Sequence, residues 1–348
     1  MIYNIQVLRA VPRSWLYLPI SEVLLSILGL PRSGWTGVDL FFVISGLIIV
    51  YTTSQKPTPA LTFFSHRIAR IVPIYWLLTI VVFAIALVAP NLFQGTHATP
   101  GQLAKSLLFI PDQRADGRVE PLLFVGWTLN FEMFFYLVFT VGLTFRRRLT
   151  GVLASVAFLV VLVIAGLVFR PTGVLAAFYS RPIMLEFGFG MLIGLALPIM
   201  PAQLPAAAKI GLVVLTAVAL ITIAISPVVF PTGSSVICNG LPAAIAVASA
   251  AALERAGWAI RNPILVGLGA ASYSIYLIHP FVTQVVQKVG HAMHVQGLKA
   301  IGLLIICFGA VAVVGTLVYR LIEKPLSIQA RKLLETLNGS KAQAPVVR

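Results

Sequence analysis

The chain has 348 residues, 59% of them apolar and only 10% charged, with a mean hydropathy of +0.98. Soluble domains carry roughly a quarter of their residues as charges, so this composition excludes one and describes a polytopic membrane protein. The net charge of +15 does not point to nucleic acid: Lys and Arg sit between apolar runs, without a basic face interleaved with stacking aromatics, and read as topology signals and contacts to membrane lipids.

Polar Tyr3, Asn4, Gln6 and Arg9 open the chain, and no small-residue cleavage site follows an early apolar core, so no cleaved signal peptide is expected. A membrane crossing takes about 20 apolar residues. Candidate spans follow in order at 14–30, 34–53, 70–89, 122–143, 151–169, 181–200, 209–226, 235–253, 264–287 and 298–320. The expected fold is therefore an all-α transmembrane helical bundle of about ten spans, the first of them atypical.

Basic residues mark alternate connections, as the positive-inside rule requires. Arg9; His66, Arg67 and Arg70; Arg146, Arg147 and Arg148; Lys209; Arg255 and Arg261; and Lys324, Arg331 and Lys332 all fall on one side. Arg170, Arg181, Lys288 and Lys299 are exceptions that leave the pattern standing. Both termini are expected in the cytoplasm. One integral membrane domain, 1–334, precedes a short polar tail, 335–348, and no internal repeat is visible. Residues 90–120, rich in Pro and Gly, form the one long extramembrane loop, a natural place for a glycan to meet the protein.

A few ionisable residues lie at depths where a charge is costly and is by default a functional candidate. Asp39 sits in Trp35-Thr36-Gly37-Val38-Asp39-Leu40-Phe41-Phe42-Val43-Ile44-Ser45-Gly46, where local capping is the ordinary alternative. Arg67 and Arg70 share a helix face three residues apart. By spacing alone they read as lipid anchors, although arginine forks also hold phosphates bidentately. Glu132 falls mid-span in Trp127-Thr128-Leu129-Asn130-Phe131-Glu132 and needs a partner, a proton or a wet cavity. Glu186 is a similar carboxylate, with Arg181 its expected structural companion. His279 ends Ser272-Tyr273-Ser274-Ile275-Tyr276-Leu277-Ile278-His279, where an interhelical hydrogen bond is the common role. His66 and His97 read as solvent-facing or interfacial. His291 and His294 lack an accompanying carboxylate, and Cys238 and Cys307 lie in apolar runs, so no metal site is expected.

Taken in order, the segments around Asp39, Arg67-Ile68-Ala69-Arg70, Trp127 to Glu132 and Ser272 to His279 resemble the acyltransferase-3 family, integral membrane enzymes that O-acylate sugars of cell-surface polysaccharides and related glycans. The opening Ile2 to Arg9 looks most like members acting on exopolysaccharide of the succinoglycan type. The resemblance implies acyl-CoA, in the first instance acetyl-CoA, as co-substrate, docked at Arg9, Arg67 and Arg70, and a glycan or lipid-linked sugar as acceptor in a bacterial inner membrane. It implies Asp39 and Glu132 as catalytic candidates, Asp39 as partner of a histidine base, and marks Trp127, Ser272, Tyr273 and His279 as motif residues. Glu323-Lys324-Pro325 looks like a family-style terminus with a structural role. A transporter or flippase would also suit buried carboxylates in a polytopic chain, but would favour repeated halves and broken helices at corresponding positions.

At one place the resemblance breaks. The family carries an arginine, ten residues and then a histidine regarded as the base; Ile5-Gln6-Val7-Leu8-Arg9-Ala10 begins that motif, yet its histidine position is Ile20. Between them stand Pro12, Arg13 and Pro19, where a smooth apolar helix is expected. One permitted coding of residues 11–20, read in another frame, gives Ala-Ala-Leu-Val-Val-Val-Ser-Thr-His, an apolar stretch ending in histidine. The expectation is therefore either a frame-shifted first span between about residues 11 and 33, or a family scaffold that lacks its base.

Overall fold

The computed structural model describes residues 37–89, 98–114, 117–230, 236–295 and 298–337. Arg9, Ile20, His97 and the expected first span lie outside the described residues. In hydrocarbon every backbone polar group must be satisfied within its own segment, which is why long apolar runs become helices. The described residues bear this out: the only extended pairing among them is a single antiparallel bridge between Gln113 and Val119.

The helices are α1 (Gly37–Gln55), α2 (Ala60–Val88), α3 (Pro100–Leu107), α4 (Trp127–Gly142), α5 (Arg148–Phe169), α6 (Val174–Tyr179), α7 (Met184–Ala196), α8 (Ala206–Val229), α9 (Leu241–Arg255), α10 (Pro263–Ala270), α11 (Ser272–Ala292), α12 (Leu298–Val318) and α13 (Lys324–Leu337). Wider π-helical turns at Val236–Gly240 and Tyr319–Glu323 lead into α9 and α13.

About ten spans were expected; among the described residues seven helices are long and apolar enough to cross a membrane, or eight if the bent pair α10–α11 is one span. That pair turns by 75° at Ala271, between the two helices. The expected span at 181–200 is shorter than supposed. Pro182 and Pro198 bracket it, and Met184–Ile199 reaches only about 24 Å at about 1.5 Å per residue. The expected span at 298–320 instead runs on without a break through the π turn into α13, which ends at Leu337.

Small residues set the closest helix packing. A Cβ on Gly46 would collide with the Phe187 carbonyl, one on Gly190 with the Val43 carbonyl, and one on Gly194 with Val50, so α1 and α7 touch backbone to backbone. Around this seam lies an aromatic core. Phe187 packs on Phe42 at 4.5 Å and Phe135 at 4.2 Å between ring centres, and Phe131 stacks on Phe178 at 4.0 Å.

The described part of the long extramembrane loop, 98–114 and 117–120, packs back on α2. Thr99 and Gln102 form a reciprocal capping box on α3. Trp76 Nε1 donates to the Leu107 carbonyl at 2.8 Å, Phe109 stacks on Tyr75, and the Leu122 amide donates to Ser106 Oγ at 2.9 Å. At the other end of α2, α13 lies against the first turns. Glu335, the first residue of the stretch read as a tail, accepts from His66 at 3.2 Å and from Arg331 at 2.8 Å. His66, read as solvent-facing or interfacial, is a half-buried partner of α13.

Candidate functional site

Glu132 lies one turn into α4 and is 5% exposed. Its i+4 neighbour on the same helix face, Tyr136, donates to Glu132 Oε1 at 2.5 Å, and Ser45 Oγ of α1 donates to the same oxygen at 3.4 Å. Two cations of α2, Arg70 and Arg67, stand within electrostatic reach of this carboxyl. The Arg67 guanidinium lies over the rings of Phe63 and Tyr136, at 5.2 and 5.6 Å, and its Nε is buried without an acceptor among the described atoms. Aromatic faces hold such a cation in place without neutralising it, which leaves its donors available to an anionic oxygen. Arg70, one turn further along, is exposed.

The Ser272 to His279 segment braces this cluster from the third side. Ser272 is exposed at the start of α11. Tyr273 Oη donates to the Ile71 carbonyl at 2.9 Å, next to Arg70 in the chain. Ser274 Oγ donates to Glu323 Oε2 at 2.5 Å, in the π turn. Tyr276 Oη contacts the Val125 carbonyl at 2.8 Å and Thr128 Oγ1 at 2.9 Å, at the entry to α4. His279 Nδ1 meets the Tyr276 carbonyl at 2.6 Å; a carbonyl only accepts, so Nδ1 carries the proton and Nε2 is the ring's basic nitrogen in the neutral imidazole. Tyr273, Ser274 and Tyr276 of α11 thus fasten three different elements.

Asp39 belongs to a second locus. It is 3% exposed, in the first turn of α1, about 9 Å along the helix from Ser45 at about 1.5 Å per residue. Its acidic neighbour is Glu186 of α7, itself fully buried, brought there by the close α1–α7 contact. The companion expected for Glu186, Arg181, instead lies over the Phe178 ring at 5.2 Å. Arg181 lies before α7 begins, whereas Glu186 is on the face that α7 turns to α1. Gly240, closing the first π turn, abuts Glu186, since a Cβ there would lie 2.9 Å from Oε1. Trp127 meets Phe131 edge-on at 6.0 Å and takes part in the aromatic core.

The structure therefore gathers Arg67, Arg70, Glu132 and Tyr273 at one place, and Asp39 at another on the same helix that supplies Ser45. Three further members were missed as site residues: Tyr136, Ser45 and Glu323. The i+4 spacing from Glu132 signalled Tyr136, and Ser45 stood inside the quoted Asp39 motif. Glu323, read as a structural terminus, is 5% exposed and faces the cluster. An apolar groove between α4, α5 and α6, lined by Phe134, Leu162, Phe169, Leu175 and Tyr179, opens on the exterior and contains none of these charges. Among the described residues no group of three or more His, Cys, Asp or Glu side chains is arranged to hold a metal ion.

Comparison with known proteins finds relatives along most of the chain. The chain is 36% identical over 314 residues to the exopolysaccharide production protein ExoZ of Rhizobium meliloti (strain 1021), covering 89% of this chain and 95% of that one. It is 26% identical over 334 residues to the acyltransferase MdmB of Streptomyces mycarofaciens, covering 86% of this chain and 82% of that one. No solved structure matches. The family model described as an acyltransferase domain matches residues 10–320, a stretch that includes Asp39, Arg67, Arg70, Glu132, Glu186 and Ser272 to His279 and stops short of Glu323. The chain belongs to the acyltransferase-3 family, whose enzymes transfer acyl groups other than aminoacyl groups.

Proposed function

We propose that this chain is a membrane-bound O-acyltransferase that moves an acyl group, acetyl in the simplest case, from acyl-CoA to a sugar hydroxyl of a cell-surface polysaccharide or related glycan. The observation that carries the reading is the buried Glu132, bonded by Tyr136 and Ser45, with half-buried Arg67 and exposed Arg70 of α2 within its electrostatic reach. In the reaction a sugar oxygen bonds to the thioester carbon, the carbon–sulfur bond breaks, and the hydroxyl proton ends on the departing thiol. Arg67 and Arg70 have the donors for the anionic phosphates of CoA. Glu132 is a buried carboxyl within electrostatic reach of both and serves to hold or pass the proton, with Asp39 orienting a base from the neighbouring locus. A polysaccharide acceptor is supported by the likeness to the rhizobial exopolysaccharide production protein. The site sits in a bacterial inner membrane with both chain termini in the cytoplasm, so the arginines meet CoA from that side.

The test is CoA binding to the purified full chain in detergent, followed for Arg67→Gln and Arg70→Gln. Each variant is expected to weaken binding about tenfold or more, the worth of one lost charge-assisted contact. Unchanged affinity in both variants refutes the donor site.

Ile20 favours a second reading, in which the scaffold lacks its histidine base and does not acylate. Glycan mass from cells carrying the gene as written, and from cells carrying a version with an apolar first span ending in histidine, separates the two. Added acyl mass only with the restored version selects the noncatalytic reading for this chain.

A further inference from the structure

We infer that Arg331 of α13 is a further donor-binding residue, one that holds the 3′-phosphate of CoA beside the turn of α2 that carries Arg67 and Arg70. Arg331 takes that role only on the donor reading of Arg67 and Arg70, which it deepens.

Hydrogen bonds between the two helices place it. Glu335 Oε1 accepts from Arg331 Nε at 2.8 Å and from the His66 ring Nε2 at 3.2 Å. Both bonds end on one oxygen, so the Arg331 and His66 nitrogens are no more than about 6 Å apart. His66 immediately precedes Arg67 in the chain, and it lies four residues before Arg70, which puts His66 and Arg70 on one face of α2. α13 thus brings a third guanidinium to the face of α2 that carries Arg70.

The bonding of Arg331 leaves a fork free. A guanidinium has five N–H donors. Nε is taken by Glu335, while Nη1 and Nη2 make no bond among the described residues. The Arg331 side chain is 56% exposed and that of Glu335 only 18%. An arginine held at Nε and open at its other two nitrogens is set to bind phosphate oxygens bidentately. An exposed i,i+4 pair on its own contributes little. Here the carboxylate is shared with a second helix, so the pair orients Arg331 relative to α2 as well as along α13.

The chemistry of CoA names the group. Its anionic oxygens lie in two places, the diphosphate within the molecule and the phosphomonoester at the ribose 3′ position. A phosphomonoester carries a charge of about −1.5 to −2 near pH 7. A cation on a separate helix from the Arg67 and Arg70 pair suits this second, outlying anion. Arg331 and Glu335 lie beyond the residues 10–320 that the family model matches, so neither is one of its motif positions.

The experiment measures the affinity of the purified full chain in detergent for CoA and for 3′-dephospho-CoA. Arg331→Gln is expected to lose about tenfold for CoA and less than about twofold for 3′-dephospho-CoA, which lacks the group that Arg331 holds. Lys332→Gln, the exposed neighbour on α13, is expected to change either affinity by less than about twofold. An unchanged affinity of Arg331→Gln for CoA, an equal loss for both ligands, or the same selective loss in Lys332→Gln overturns the inference and leaves the donor reading standing. If Arg331→Gln melts below the parent in the same detergent, Arg331→Lys replaces it: it keeps the charge, gives up the fork, and is expected to lose about threefold for CoA alone. An equal loss for both ligands in Arg331→Lys likewise overturns the inference. Should Arg67→Gln and Arg70→Gln leave both affinities unchanged, the donor reading fails and takes the role of Arg331 with it.

Discussion

Tyr136→Phe isolates the bond on which the Glu132 cluster is built. The substitution deletes one oxygen and leaves the ring, so the Arg67 guanidinium keeps the aromatic face it now occupies at 5.6 Å. Lost is the 2.5 Å donor to Glu132 Oε1, leaving that oxygen with Ser45 at 3.4 Å, a contact too long to replace it. A hydrogen bond to a charged group contributes about 1.5–3 kcal/mol and a neutral one about 0.5–1.5 kcal/mol. The parent chain should therefore lose about 2 kcal/mol on Tyr136→Phe, and a Glu132→Gln chain about 1 kcal/mol, a coupling near 1 kcal/mol. Unfolding in detergent can be followed by a thiol-reactive dye in a Cys238→Ser background, because Cys238 is half-exposed whereas Cys307 is buried in the folded chain and becomes reactive when α12 opens. Coupling within about 0.3 kcal/mol of zero, the scatter expected of independent sites, would refute the claim that Tyr136 and Glu132 form one unit.

Other expectations follow from the same geometry. Gly190→Leu places a side chain where the Val43 carbonyl already lies, so it should separate α1 from α7 and sharply reduce recovery of folded protein on size-exclusion chromatography, whereas Gly211→Leu, with open space around its Cβ position, should be recovered normally. Glu186→Gln gives Asp39 an amide donor in place of a second carboxyl, so the variant should melt no lower than the parent; a clear drop in melting temperature would mean that the two acids do not face each other. Glu335→Ala removes the acceptor shared by His66 and Arg331 and should increase hydrogen exchange in α13 while that in α4 stays unchanged. Finally, clean resequencing of the gene over codons 11–33 should reveal a lost base; an intact reading frame there leaves the chain without the histidine of its family.

Much of this protein was legible along the chain because hydrocarbon imposes a local rule. Any run of about 20 apolar residues must become a helix to satisfy its own backbone, and a carboxylate or arginine in such a run declares itself by its cost. That logic marked Asp39 and Glu132, whereas Arg67 and Arg70, lipid anchors by spacing alone, became candidates only through the resemblance that the order of the motifs carried. It failed where length was limited by prolines, as in Met184–Ile199, and where a helix continued past its apolar stretch into α13.

The pairing of charges was a different matter, since it depends on which helix faces which. Asp39 and Glu186 are far apart in sequence and meet because glycines let α1 and α7 touch. Arg181, close in sequence to Glu186, faces Phe178 instead. Glu323 looked like the end of a helix, yet its carboxyl is buried at the close of a wider turn and bonded by a serine on α11. Burial and helicity follow from transfer free energies summed residue by residue, and so can be read from the chain; the identity of each charge's neighbour follows from helix contacts and turn geometry, which only the folded bundle decides.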